Sequence, residues 1–253
     1  MLAPYRDVAD PAALARADRF VVEGRLVVRR LLEDGRFEVE SVLVTPVAAD
    51  AMRGVVEARP EVPVLGCEPA LVESVTGHDF HRGCLALARR PSAVPALASF
   101  SGASRLIALE GVGNPDNIGG LFRTALAFGA DGIVLDPASA DPLYRKAIRT
   151  SMGAALRVPF TRVADWPNGL AVLRDGGFQI VALTPDAGAT NVDEFPVRAG
   201  TRLVLLLGSE GDGLSGGTLR YADARLRIPI DATADSLNVV VAAGIALHAL
   251  REH

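Results

Sequence analysis

Residues 105–136 read RLIALEGVGNPDNIGGLFRTALAFGADGIVLD, and this stretch restricts the fold more than any other. RLIALEGV and GIVLDP are short apolar runs with the content of buried strands. NIGGLFRTALAFG between them sets Ile118, Leu121, Phe122 and Ala125 on one helical stripe. Strand, helix and strand in such close succession form a βαβ unit, whose strands lie parallel because the helix carries the chain back along the sheet. The alternation continues: YRKAIRTSMGAAL predicts a helix, and AVLRDGGFQIVALTP the end of a helix, a turn at Gly176 and Gly177, and a strand. TRLVLLLGSEGDGLS predicts a buried strand emptying into a glycine-rich loop, and ADARLRIPID a further short strand. The last segment, SLNVVVAAGIALHAL, is ambiguous, since Val239, Val240 and Val241 favour a strand while the alanine-rich remainder favours a helix.

Before residue 91 the elements are shorter. RFVVEGRLVVRRLLEDG predicts a strand end and an amphipathic helix stopped by Gly35, VESVLVTP a strand, AADAMRGVVEARP a helix ended by Pro60, VPVLGC a strand, PALVESVTG a helix and GCLALARR a last strand. PSAVPALASFSGAS, with two prolines and no periodicity, reads as a linker. The expected organisation is therefore an N-terminal α/β domain over residues 1–95, a linker at 96–104 and a second α/β domain over 105–253.

Hydrophobic residues make up 49% of the 253, enough for sizeable cores. Apolar runs are broken well short of a membrane span, and the N-terminus lacks the basic-then-apolar order of a signal peptide, so no membrane association and a cytoplasmic location are expected. Cys67 and Cys84 form no CxxC and are expected to be free thiols. A net charge of −4 argues against nucleic-acid binding by bulk electrostatics but leaves local patches open. Lys146 is the only lysine; the arginines suit bidentate phosphate contacts, but GC-rich codon usage is the better account of them.

Three stretches hold residues suited to chemistry. In EGVGNPDNIGG, Gly111 and Gly113 begin a dinucleotide fingerprint that fails at Asp116, and no Walker lysine follows. What remains is Asn117 near a helix entrance and Arg123 six residues on, which alone read as a cap and a solvated cation. In LLLGSEGDGL, Glu210 lies among Gly208, Gly211 and Gly213 at the end of a parallel strand, where open α/β sheets bind ligands. In the last segment Ser236 is a candidate helix N-cap, with Asn238 in the first turn. HDFHRGC brings His78, His81 and Cys84 close in sequence, with Cys67 upstream, but without a second CxxC pair no metal site is expected.

Taken together, NxxxxxR after a strand, GSEGxG after a strand, and IPI followed by SLNVxVAAGIAL resemble the three signature motifs of the SpoU, or TrmH-like, RNA methyltransferases of the SPOUT superfamily. DPLYRKAIRTSMGAALRVPF is similar to the family's segment between the first two motifs, and residues 20–90 to the substrate-binding domain that often precedes the catalytic one. The resemblance implies a parallel-sheet domain with a deep trefoil knot, a rare exception to the unknotted chain, and S-adenosylmethionine as methyl donor. It implies main-chain cofactor contacts at Gly208, Ile228 and Leu237, and polar site positions at Asn117, Arg123, Glu210, Ser236 and Asn238. Arg123 would act as general base or as an electrostatic clamp, oriented by Glu210 and Asn117. A homodimer follows from the resemblance, as does methylation of a ribose 2′-hydroxyl, with ribosomal RNA preferred. A transfer-RNA methyltransferase and a catalytically silent RNA-binding protein on the same fold are the alternatives. Candidate RNA contacts are Arg29, Arg30, Arg82, Arg89, Arg90, Arg145, Lys146 and Arg149. Val240 departs from the family's usual small hydroxyl residue, which implies a dry helix face there.

Overall fold

The structure is a computed structural model that describes residues 5, 8, 10–70, 83–92 and 95–251. Two compact units are present: Met1–Ala93 with Pro142–Arg157, and Val94–Asp141 with Val158–His253.

The first unit runs α1 (Pro11–Arg16), β1 (Arg19–Glu23), α2 (Arg25–Asp34), β2 (Val39–Val44), α3 (Pro46–Glu57), β3 (Val64–Gly66) and β4 (Cys84–Arg89). Its sheet has the order β1-β4-β2-β3, antiparallel except for the β2–β3 pair. The α2 helix buries Val27, Val28, Leu31 and Leu32 and stops at Gly35, whose φ of 67° is the left-handed conformation that ends helices cheaply only at glycine. Pro46 opens α3 behind the Thr45 cap rather than merely closing the strand before it, since proline at the first helical position loses no hydrogen bond. The helix expected from PALVESVTG falls almost wholly outside the described residues.

The second unit is built on a seven-stranded sheet of order β7-β6-β5-β10-β8-β11-β9, parallel at every pairing. In chain order it contains β5 (Arg105–Glu110), α4 (Pro115–Ala127) and β6 (Gly132–Leu135). The chain then contributes Pro142–Arg157, with α5 (Arg145–Thr150), to the first unit before returning as β7 (Phe160–Arg162), α6 (Leu170–Asp175), β8 (Gln179–Leu183), β9 (Thr190–Asn191), β10 (Leu203–Gly208), α7 (Gly216–Leu219), β11 (Ala224–Arg227) and α8 (Val239–Ala249). Leu106, Ala108, Ile180, Ala182, Val204 and Leu206 pack one face with Leu170, Leu173 and Phe178. The alternate residues Ile107, Leu109, Leu205 and Leu207 are also buried, so both faces are covered, as parallel sheets require. Ile118, Leu121, Phe122 and Ala125 form the buried stripe of α4, as their spacing predicts.

Two elements differ from expectation. The helix expected from YRKAIRTSMGAAL stops at Thr150, because Met152 (φ 53°) and Gly153 (φ 84°) turn the chain into a short 3-10 turn at Ala154–Leu156. A Cβ on Gly153 would lie 3.0 Å from Val27, so close packing against α2 accompanies the break. The expected linker is no free spacer either: Leu97–Phe100 forms a 3-10 turn, and Phe100 and Ala103 are buried in the second unit's core. A Cβ on Gly132 would lie 2.2 Å from the Phe100 ring, so only glycine fits there.

Candidate active site

The carboxyl ends of β5 and β10 lie side by side, with Glu110 paired to Gly208 in register. From β5 the chain proceeds outward to β6 and β7, and it then builds β8 on the far side of β10. Such a reversal of strand order leaves a crevice at the carboxyl edge, the usual ligand position in open α/β sheets.

Three segments converge there. The loop after β5 enters α4 at Asn114, whose side chain caps the Asp116 N–H at 2.9 Å, with Pro115 at the first helical position. Asn114, not Asn117, is thus the cap, and Asn117 is left buried one turn further in, 7% exposed. The loop after β10 folds back on itself: Gly213 N–H donates to the Ser209 carbonyl, and a Cβ on Gly208 would meet Gly213 at 2.2 Å and the Leu214 nitrogen at 2.5 Å. Only glycine can occupy position 208, and the loop displays Glu210 beside it. Asn238 caps α8, its Oδ1 accepting from the Val240 N–H at 2.9 Å. The cap is therefore Asn238 rather than Ser236, because the helix starts two residues later than the SLN triplet suggests.

Glu210 joins all three. Asn117 Nδ2 donates to its Oε2 at 2.6 Å and Asn238 Nδ2 to its Oε1 at 2.7 Å, and Asn238 Nδ2 also lies 3.1 Å from Asn117 Oδ1. Both amides are fixed in orientation by these bonds. A carboxylate is thereby held by two neutral amides, with no arginine or lysine bonded to it among the described residues. Such a site favours a cation at short range or a hydroxyl donor.

Arg123 does not join the network. Six residues beyond Asn117 is one and two-thirds helical turns, which points its side chain about 120° away around α4. Its side chain is exposed and makes no hydrogen bond or ion pair among the described residues. Orientation of Arg123 by Glu210 and Asn117, expected from the sequence, does not occur within the chain. Ser236 is exposed, while Ile228 and Leu237 are half-buried in the irregular segment between β11 and α8.

Several candidate RNA contacts are engaged inside the first unit. Arg30 donates to the Met152 carbonyl and Arg29 to that of Ala51 at 3.1 Å. Arg89 faces Glu40 at 3.0 Å and Glu38 at 3.2 Å, and Arg90 donates to the Arg19 carbonyl at 3.2 Å. Arg145 lies 3.8 Å from the buried Glu23, while Lys146 is exposed and Arg149 half-exposed on α5. Arg82, His78 and His81 lie outside the described residues. Cys67 and Cys84 are free and buried, and burial pushes the Cys84 thiol up to about 12. No helix among the described residues is long and apolar enough to cross a membrane.

Sequence reasoning passed over Glu110. Its carboxylate receives the Trp166 indole N–H at 3.0 Å, the Ser215 and Thr218 hydroxyls at 2.8 Å each, and the Ser215 N–H at 2.8 Å. A charged residue ending the otherwise apolar strand RLIALE was the available signal.

Residues 104–248, more than half of the chain and containing all three converging segments, match the model of the SpoU rRNA methylase family. The chain belongs to the SpoU methylase family. A Mycobacterium bovis protein named as an uncharacterised tRNA/rRNA methyltransferase is 38% identical to this SpoU methylase over 90% of its length and 79% of the relative's. Among solved structures, an AdoMet-bound rRNA methyltransferase from Sinorhizobium meliloti is 26% identical with a TM-score of 0.83, covering 99% of this chain and 93% of that one. An RNA 2′-O ribose methyltransferase is 26% identical with a TM-score of 0.78, covering 98% and 94%. These matches span both units of the SpoU methylase, whereas the family model begins one residue before β5.

Proposed function

We propose that the protein methylates a ribose 2′-hydroxyl of RNA, ribosomal RNA by preference, using S-adenosylmethionine, and that it does so as a knotted homodimer. The observation that carries this reading is the convergence of Asn117, Glu210 and Asn238, from three distant motifs, at the carboxyl ends of β5 and β10. Family membership and the AdoMet-bound neighbour support the methyl donor, and the 2′-O ribose methyltransferase neighbour supports the acceptor atom.

The residues present fit such a cofactor. The backbone at Gly208 is bare and tightly folded, and the carboxylates nearby, Glu210 in the loop and Glu110 on the adjacent strand, suit a cationic ligand. Main-chain groups of Gly208, Ile228 and Leu237 would hold it. When bound, S-adenosylmethionine supplies an electrophilic sulfonium methyl group, and no metal is needed.

The protein's share of an in-line transfer is to align the ribose hydroxyl and ease loss of its proton. Glu210, immobilised by two amides, would orient a hydroxyl donor, and the exposed Ser236 would contact the substrate. Arg123, a permanent cation without a partner among the described residues, would clamp a substrate phosphate and stabilise developing negative charge. Helices α4 and α8 support a dimer face near Arg123: Leu126, one turn on from it, and Val241 and Ile245 are 38%, 51% and 39% exposed. The knot draws support from the packing of α8 against α4 and β10 after the long return from β10. The first unit would contribute RNA contacts, with Lys146 and Arg149 among the candidates.

The test is transfer of labelled methyl groups from S-adenosylmethionine to separated ribosomal and transfer RNA, followed by digestion to nucleosides. Label in a 2′-O-methylated nucleoside from ribosomal RNA is the expected result. Label on a base would overturn the ribose assignment, label confined to transfer RNA the preferred substrate, and no label the enzymatic reading.

A further inference from the structure

Both ends of the loop after β10 are pinned, and only one of them in its own strand. Gly208 fixes the near end in the sheet. The far end, Ser215, is the N-cap of α7, and both its N–H and its hydroxyl are held by Glu110, at 2.8 Å each. Glu110 lies directly beside Gly208 in register, so the two ends of the loop are drawn to neighbouring points on adjacent strands. The same carboxylate takes the Thr218 hydroxyl at 2.8 Å and the Trp166 indole at 3.0 Å, while Ser215 Oγ caps the Thr218 N–H at 3.2 Å. Glu110 makes no bond to Asn117, Glu210 or Asn238.

We propose that Glu110 is a positioning residue which, through Ser215, Thr218 and Trp166, closes the Gly208–Ser215 loop and so sets the cofactor-contacting backbone and the placement of Glu210. This rests on the reading that S-adenosylmethionine is held at that loop. The chemistry calls for a carboxylate at this point. Four donors converge on two oxygens, so an amide would turn its own NH2 toward at least one N–H or O–H, and aspartate is a methylene too short to span the gap. Charge-assisted bonds of this kind are about twice as strong as neutral ones, and a closed loop need not be ordered again on each binding event.

Trp166 is the only tryptophan in the chain, and its indole N–H ends on this carboxylate, so its emission reports on the clamp directly. The experiment uses the full chain and Glu110→Gln, titrated with S-adenosylhomocysteine. It follows Trp166 emission, hydrogen exchange of residues 208–214, and the KM values for S-adenosylmethionine and RNA. In the wild type, ligand should protect 208–214 and shift the emission. In Glu110→Gln the dissociation constant should rise about tenfold or more, the size expected for a broken charge-assisted set. Protection of the loop should weaken, and KM for RNA should stay within about twofold. Wild-type affinity and protection in Glu110→Gln would overturn the proposal. Absence of protection in the wild type itself would instead refute the placement of the cofactor at this loop. Should Glu110→Gln fail to fold, Ser215→Ala removes one hydroxyl donor and the cap while keeping the backbone contact. A several-fold weaker affinity is then expected, and unchanged affinity would overturn the clamp.

Discussion

Asn238 does two things with one amide. Its oxygen caps α8 through Val240 N–H, and its nitrogen holds Glu210. Asn238→Ser separates the roles, because serine caps about as well as asparagine but is too short to replace the amide donor. Thermal stability should stay near wild type while kcat falls about tenfold or more, measured by calorimetry and by methyl transfer. Arg123→Ala should lower kcat about a hundredfold or more and leave the dissociation constant of S-adenosylhomocysteine within about twofold; undiminished methylation would remove Arg123 from the reaction. At this scale the sequence singled out Asn117, Glu210 and Asn238 one by one but not the bonds that join them. Asn117 and Glu210 are 93 positions apart, and nothing local to either indicates the bond. The one-turn difference between Asn114 and Asn117, which decides which caps and which is buried, turned on Pro115, the residue that fixes the helix start.

Helices α4 and α8 meet where α4 has no side chain. A Cβ on Gly120 would lie 2.6 Å from Val240 Cγ2 and 2.9 Å from Cγ1, while Gly244 of α8 faces Thr124 and Phe128. The departure at Val240 thus fills the notch at Gly120 with methyl groups, a dry contact. Gly120→Ala should cost about 1–3 kcal/mol through overpacking. Val240→Ala in the same chain should recover part of that loss, with a coupling measurable in a double-mutant denaturation cycle. Helices α2 and α4 were legible because burial on one side leaves a repeating pattern, and strands β5, β8 and β10 because burial on both faces leaves an unbroken apolar run. Strands β7 and β9, three and two residues long, have no room for a period and were missed. The valine-rich start of α8 was ambiguous because tertiary burial, not intrinsic preference, makes it helical.

For the whole molecule, two buried acids of the first unit set a limit on the alkaline side. Burial raises the Cys84 thiol from 9.0 to about 12; it raises the Tyr5 hydroxyl from 10.0 to about 12, against a smaller opposing effect of its hydrogen bond to Ser41. The folded state keeps both protons where the unfolded chain releases them. Their contribution is therefore complete below about pH 9 and is lost as pH rises toward 12. Urea midpoints should fall across that window, and Tyr5→Phe with Cys84→Ala should flatten the fall. On the second unit, Val241→Glu with Ile245→Glu should convert the proposed dimer to monomer by sedimentation, with the secondary structure retained; an unchanged dimer mass would place the interface elsewhere, and a monomeric wild type would overturn the proposed dimer. The sequence suggested a division at one point in the chain, but Pro142–Arg157 belongs by packing to the first unit, because periodicity shows which face is buried and not against what. That segment has a consequence for heredity. The chain passes between the units at residues 93 and 94, again at 141 and 142, and again at 157 and 158, so a single genetic crossover cannot transplant either unit whole. A new N-terminal half joined at residue 94 would inherit a foreign Gly153 facing its α2 helix and a foreign Met152 carbonyl awaiting an arginine at position 30. An exchange of the first unit therefore has to carry residues 142–157 with it.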